Sequence, residues 1–261
     1  MIIDFEGKVA YVTGGAMGLG AAMVKILAES GARVAIVDIN EEAGEKKAEE
    51  LKNSGLDVHF FKADVIDKKN IIDVFGKIED MLGNIFISVN NAGVSSLEMI
   101  EDMDEEKWDY NMDINAKGVF ICCQEAVRRM RASKTKGRII NTSSAAGKSG
   151  VPGLIHYSAS KATVLRFSQS LALEVAKDGI TVNSICPGFH ETPMLRREEP
   201  WWAEMWKCDV KEVRRRWLES IPMGRFGTAE DIAKVVLFLA SPLADYITGE
   251  SINITGGNLM E

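Results

Sequence analysis

Seven short β-rich runs, separated by stretches of helical periodicity, constrain this chain more than any other feature. The runs are Val9–Thr13, Arg33–Asp38, Val58–Ala63, Ile85–Asn90, Gly137–Thr142, Thr181–Cys186 and Ser251–Ile254. Most are apolar at successive rather than alternate positions, the pattern of strands covered on both faces. Between them, Ala21–Ser30 carries Met23, Ile26 and Leu27 at helical spacing. Glu41–Asn53 is a charged helical stretch ending near Gly55. Lys69–Leu82 places Ile71, Ile72, Phe75, Ile78, Met81 and Leu82 on one stripe. Such alternation implies right-handed βαβ crossovers, hence an α/β fold with a doubly wound, seven-stranded parallel sheet and helices on both faces. There is no internal repeat, low-complexity tract or linker, so a single domain over residues 1–261 is expected. The segment at about 189–222, between the sixth and seventh runs, stands apart from this rhythm.

Composition narrows the function classes. The chain has 261 residues, 46% hydrophobic and 26% charged, which suits a full-sized globular core and excludes a fibrous or disordered chain. Thirty-one Lys and Arg against 38 Asp and Glu give a net charge of −7, unfavourable for binding a phosphate backbone. No apolar run approaches the ~18 residues that span a bilayer, and the first residues lack a basic, signal-like start. Cys122, Cys123, Cys186 and Cys208 include no Cys-x-x-Cys pair and read as buried free thiols in a reducing compartment. His59, His156 and His190 show no metal-ligand spacing. The expectation is a cytoplasmic protein with no metal, no membrane association and no nucleic-acid partner.

The first run leads straight into Thr13-Gly14-Gly15-Ala16-Met17-Gly18-Leu19-Gly20, and a helical pattern follows at once. Glycines there permit a tight turn, and the helix N-terminus offers free N–H groups to a pyrophosphate. Strand, glycine-rich turn and helix in this order point to a dinucleotide site of the Rossmann type, with Gly14, Met17, Gly18, Leu19 and Gly20 around the phosphates. Asp38 closes the second run, where a carboxylate accepts hydrogen bonds from the adenosine ribose hydroxyls and repels a 2′-phosphate. No Lys or Arg lies between Gly14 and Gly20, nor at Ile39 or Asn40. NAD is therefore expected rather than NADP.

Tyr157 and Lys161 stand four residues apart at the start of a helical pattern, which puts phenol and ammonium on one face. A neighbouring cation stabilises tyrosinate, so the phenol pKa is expected to fall towards working pH and suit general acid–base work. Ser144, at the end of the fifth run, is placed to bond the same substrate oxygen.

These motifs together resemble the short-chain dehydrogenase/reductase family over nearly the whole chain. The glycine loop resembles its T-G-x-x-x-G-x-G, and Asn90-Asn91-Ala92-Gly93 its N-N-A-G. Asp64-Val65 resembles its adenine-contacting pair. Asn115, Ser144, Tyr157 and Lys161 match its catalytic tetrad. Pro187-Gly188, followed by Thr192, resembles the loop that meets the nicotinamide carboxamide. The resemblance implies hydride transfer at nicotinamide, with Tyr157 as acid/base and Lys161 lowering its pKa and bonding the nicotinamide ribose. It also implies that Ser144 orients the substrate oxygen and that Asn115 holds a water of a proton relay. It implies a dimer or a tetramer too, and because Val119, Phe120, Cys123, Val127 and Met130 form an apolar stripe wider than one sheet face needs, a homotetramer is expected.

The resemblance makes 189–222 a substrate-binding lid. Four of the five tryptophans fall between Trp201 and Trp217, on two short helical patterns broken near Cys208-Asp209. His190, Trp202 and Trp206, with Ser144, are candidate substrate-lining residues. Arg196, Arg197 and Arg214 to Arg216 suggest an anion, but interleaved acids make a solvated charged face the better reading. Ser251 to Met260 resembles sugar-alcohol dehydrogenases, including sorbitol-6-phosphate dehydrogenases, so polyols are the favoured substrates. The alternatives are a 3-oxoacyl-thioester reductase, a hydroxysteroid dehydrogenase and, outside catalysis, an NAD-sensing binding protein.

Overall fold

The computed structural model describes residues 3–260; Met1, Ile2 and Glu261 of the expected 1–261 unit lie outside the described residues. The strands are β1 (Val9–Thr13), β2 (Arg33–Asp38), β3 (Val58–Lys62), β4 (Ile85–Asn90), β5 (Arg138–Thr142), β6 (Thr181–Pro187) and β7 (Ser251–Ile254). They form one sheet in the order β3-β2-β1-β4-β5-β6-β7, every neighbouring pair parallel. The direction of winding reverses between β1 and β4, which opens a crevice at their C-terminal ends.

The helices are α1 (Gly18–Glu29), α2 (Glu41–Asn53), α3 (Lys68–Leu82), α4 (Glu105–Met112), α5 (Gly118–Ser133), α6 (Ile155–Val175), α7 (Pro193–Met205), α8 (Val210–Glu219) and α9 (Ala229–Ala240). One apolar layer joins Phe75 and Ile78 of α3, Cys123 and Met130 of α5 and Val164 of α6 to Tyr11, Val37 and Ile139 on one sheet face. The other joins Met23 and Leu27 of α1 and Val236 and Leu239 of α9 to Val12, Ile36 and Val89 on the opposite face. Tyr11 and Val12 thus serve different layers, which is why β1 is buried at every position.

A polar chain crosses the first layer. Tyr11 Oη donates to Asn90 Oδ1 (2.9 Å), Asn90 Nδ2 to Asn141 Oδ1 (2.8 Å), and Asn141 Nδ2 to Ser168 Oγ (2.8 Å). All four residues are buried, so each bond satisfies a group that water cannot reach, and together they fix β1, β4, β5 and α6 in register. The α5 stripe is narrower than its sequence suggests. Val119, Cys123, Val127 and Met130 are buried within the chain, and Phe120 alone of the five is exposed, edge-on to Phe167 of α6 at 6.3 Å. Among the described residues no helix is long and apolar enough to cross a membrane, and no group of His, Cys, Asp or Glu is arranged to hold a metal ion.

Candidate active site

Helix α1 begins at Gly18, three residues before its apolar pattern does, so the glycine turn is itself the first helical turn. Gly14 and Gly18 have φ of +64° and +57°, and a Cβ on Gly20 would sit 2.0 Å from the Gly14 carbonyl oxygen. The sharp entry therefore requires glycine. Met17 occupies the N-cap and gives α1 no side-chain cap, whereas Asn40, Asp67 and Asp104 cap α2, α3 and α4. The free N–H groups of α1 and the positive end of its dipole face the crevice, a fit for a pyrophosphate.

The turn is braced from β4. Asn91 Nδ2 donates to the Thr13 and Gly14 carbonyls (both 3.2 Å), and the backbone N–H groups of Asn91 and Ala92 donate to Thr13 Oγ1 (3.0 and 3.1 Å). The Asp38 carboxylate is held by N–H donors from Ala16 (3.1 Å) and Asn40 (3.0 Å). Asp64 accepts from the Ile66 N–H at 3.1 Å. Ile39 is exposed beside Asp38 on the rim.

One cavity of about 1220 Å³ runs from this rim to the lid. It gathers every candidate site residue named from the sequence except Gly20 and Asn115. Gly20 is turned against Gly14, and Asn115 stands behind the wall. A single wide π turn, Asp113–Lys117, joins α4 to α5 and carries Asn115 into the core. Asn115 Oδ1 accepts from the Val94 N–H (2.8 Å). Its Nδ2 donates to the Val94 carbonyl (2.9 Å) and to Ser160 Oγ (3.0 Å), which donates to the Tyr157 carbonyl (2.7 Å). Asn115 thus ties the loop after β4 to the helix carrying Tyr157.

Lys161 Nζ donates to the Thr142 carbonyl (3.0 Å) and lies 5.7 Å from the Tyr157 ring centroid. Ser144 Oγ accepts from the Ala146 N–H (3.1 Å) and faces Tyr157. Burial pushes Lys161 down to about 8. Burial pushes Tyr157 up to about 12, with the Ser144 hydroxyl opposing and the Glu198 charge adding to the rise. This reverses the sequence expectation of a lowered phenol pKa. The physical reason is that desolvation outweighs an ammonium that is itself desolvated and directed at Thr142.

Helices α7 and α8 form the lid. Trp202 meets Trp201 edge-on at 5.1 Å and Trp206 at 5.0 Å, and Phe189 stacks on Trp217 at 5.2 Å. Three of the lid arginines, Arg214 to Arg216, are closely paired. Arg214 pairs with Glu191 and with Glu199 (2.6 Å) and lies over Phe226. Arg215 pairs with Glu212 and Glu219, and Arg216 pairs with Glu212 (2.8 Å) and lies over Trp206. These pairs give Arg214, Arg215 and Arg216 carboxylate partners within the lid, Arg215 and Arg216 on its exposed side and Arg214 against the buried Glu199. His190 lines the cavity edge, but its ring packs on Gly227 and its Nδ1 meets the Gly188 carbonyl at 3.1 Å. Sequence reasoning missed Glu198, which also lines the cavity. The signal was present in its spacing, four positions after Met194 and four before Trp202.

The family model for short chain dehydrogenases matches residues 8–203. The chain is 36% identical to a 3-oxoacyl-[acyl-carrier-protein] reductase FabG from Aquifex aeolicus (strain VF5), covering 98% of this chain and 99% of that protein. It is 38% identical to the protein of the same name from Vibrio cholerae serotype O1, covering 99% and 100%. Among solved structures, an actinorhodin polyketide ketoreductase variant with NADPH superposes with a TM-score of 0.93 at 32% identity, covering 96% of this chain and 97% of that one. With its seven-stranded parallel sheet, glycine turn and Tyr157–Lys161 helix, this chain belongs to the short-chain dehydrogenase/reductase family, whose members are oxidoreductases that use a nicotinamide cofactor.

Proposed function

We propose that the protein interconverts a secondary alcohol and its ketone on an apolar substrate of the 3-oxoacyl-thioester class, with NAD(H) as hydride carrier. The carrying observation is the continuous cavity in which the glycine turn, Tyr157 and an aromatic lid meet. The printed names of the relatives support the acyl class. The lid favours it over a polyol, because Trp202, Trp206 and Trp217 present one N–H donor each and no acceptor, so most hydroxyls of a polyol buried there would lack the acceptor that each needs.

The bound nicotinamide supplies or accepts the hydride. Tyr157 gives its phenolic proton to the carbonyl oxygen in reduction and takes it back in oxidation. Ser144 bonds the same oxygen and orients it. Lys161 offsets the charge of the tyrosinate and bonds the nicotinamide ribose. Asn115 fixes the Val94 loop against the Tyr157 helix and holds the relay water. The presence of all four residues favours an enzyme over an NAD-sensing protein.

The preference for NAD(H) rests on Asp38. Asp38 and Asp64 both line the rim of the cavity, and no cation stands between Gly14 and Asn40 to receive a 2′-phosphate except Lys25 and Arg33. Lys25 pairs with Glu29 and Arg33 with Asp57, and neither lines the cavity. The polyketide ketoreductase was solved with NADPH, so the choice is open to direct test. A panel of 3-oxoacyl thioesters, polyols and hydroxysteroids, each run with both cofactors, should give the highest kcat/KM for a thioester with NAD(H). Equal efficiency with NADP(H) refutes the cofactor assignment, and faster polyol oxidation refutes the substrate class.

A further inference from the structure

The face that α7 turns to the cavity is apolar at every position but one. Leu195, Trp202, Met205 and Trp206 line the cavity, and Glu198 stands among them one turn before Trp202. The other lid carboxylates near it are engaged, Glu191 and Glu199 by Arg214 and Glu212 by Arg215 and Arg216. Glu198 joins no ion pair among the described residues. The Ser95 hydroxyl, otherwise without a partner, lies toward it. Glu198 is close enough to Tyr157 for its charge to act on the phenol. A carboxyl set among aromatic walls is costly to desolvate, and leucine suits a helix as well, so lid packing does not account for it. Burial also pushes the carboxyl up from its usual range, with Ser95 and Arg197 opposing.

We infer that Glu198 determines substrate specificity: its carboxyl accepts a hydrogen bond from a hydroxyl or amide N–H that the substrate carries on the arm beyond its reacting carbonyl, within about six bonds of it. The same group turns away a substrate with a carboxylate or phosphate at that place. The inference rests on the reading that this cavity holds the ketone against Tyr157. A thioester of the pantetheine type carries such an amide N–H on its thiol arm, and a plain alkyl thioester does not.

The test compares two thioesters of one 3-oxoacyl group, the N-acetylcysteamine thioester and the S-butyl thioester. The wild-type ratio of kcat/KM should favour the amide-bearing compound about tenfold or more, as for other hydrogen bonds to charged groups. Glu198→Leu should bring the ratio close to one, and Glu198→Gln, which keeps an acceptor, should retain part of it. A second readout is the pH profile of alcohol oxidation. The groups that act on or are acted on by Glu198 are Tyr157 from α6, Arg197 on its own helix and Ser95 after β4, and Lys161 from α6 and Arg216 from α8 line the same cavity. Removing the carboxylate relieves tyrosinate of a like charge, so Glu198→Gln should move the controlling ionisation to lower pH. A role in lid packing alone leaves that profile in place. An unchanged ratio in Glu198→Leu, or an unmoved profile in Glu198→Gln, overturns the inference. If neither thioester is turned over, the substrate class proposed above fails. The pH profile and a hydroxylated/deoxy substrate pair are then read on whichever alcohol the panel identifies, and they decide the role of Glu198 independently. NADH binding by fluorescence separates a loss of specificity from a loss of fold, using the near-isosteric Gln variant.

Discussion

Lys161 is held in a state that its surroundings oppose. Its ammonium is buried, its pKa is pushed down to about 8, and its one described hydrogen bond goes to Thr142. Below pH 8 the folded protein must keep a charge that is almost wholly desolvated, while the unfolded chain carries that charge freely. Stability therefore carries a penalty at neutral pH, which shrinks as pH rises from about 8 towards the ordinary lysine value. Lys161→Met should be more stable than wild type at pH 7 in thermal melts of the ligand-free protein, by up to about 3 kcal/mol, with the difference narrowing above pH 8. Its turnover should collapse. Tyr157→Phe removes only the phenolic oxygen, so NADH binding should survive while kcat falls by at least ~10²-fold, the lower end for general acid–base catalysis. A variant that binds NADH normally and keeps a tenth of wild-type kcat, with chemistry rate-limiting, ends the acid/base assignment. At this scale the sequence exposes the pairing of Tyr157 with Lys161 because the two share one helical turn. It hides the direction of the Tyr157 shift, which depends on atoms brought in from β5 and the lid. Glu198 was hidden for a different reason: in Arg196-Arg197-Glu198-Glu199 it looks like part of a solvated charge run.

Among the elements, the strands are the most legible. β1, β2, β4 and β7 match their sequence runs end to end, and β3, β5 and β6 differ by one residue. The break between the lid helices falls at Cys208-Asp209 as expected, with Asp209 capping α8. Two helical features were not legible. The start of α1 is hidden because glycine is a poor helix former, and the turn that leads into it at Thr13 and Gly14 is braced by Asn91 from a distant part of the chain. The π turn at Asn115 leaves no local trace, since its extra residue is held by the bonds to Val94. The lid depends on Arg214, which joins the Glu191 loop to α7 and α8 while covering Phe226. Arg214→Ala leaves the buried Glu199 carboxylate without its described partner. The half-exposed clamp should be worth about 1–3 kcal/mol. KM for the ketone should rise severalfold while kcat changes less, because the lid holds substrate and the chemistry sits on α6. A fall confined to kcat in steady-state kinetics counts against the clamp.

For the whole molecule, the topology was readable because strand and helix alternate without interruption, and the reversal at β1/β4 sets the crevice. The exposed surface was less readable, since a helical stripe does not say which of its residues the chain's own sheet will claim. Phe120, exposed on α5 beside Phe167, is what remains of the expected contact face. A homotetramer with two-fold axes is the assembly proposed for this protein. Light scattering at micromolar concentration should give the mass of four chains, and Phe120→Asp should lower it. A monomeric mass for the wild-type protein rejects the proposal.

The brace on the glycine turn has a consequence for the order of synthesis. Thr13 and Gly14 leave the ribosome early, but the groups that hold them, Asn91 and Ala92, lie 77 to 79 residues further on. Until those residues emerge, β1 has β2 on one edge and an open row of backbone donors and acceptors on the other. A nascent chain arrested before β4 therefore presents an adhesive strand and an unformed nucleotide pocket at the same time. The winding order thus leaves one edge of β1 uncovered until about the ninetieth residue has been made.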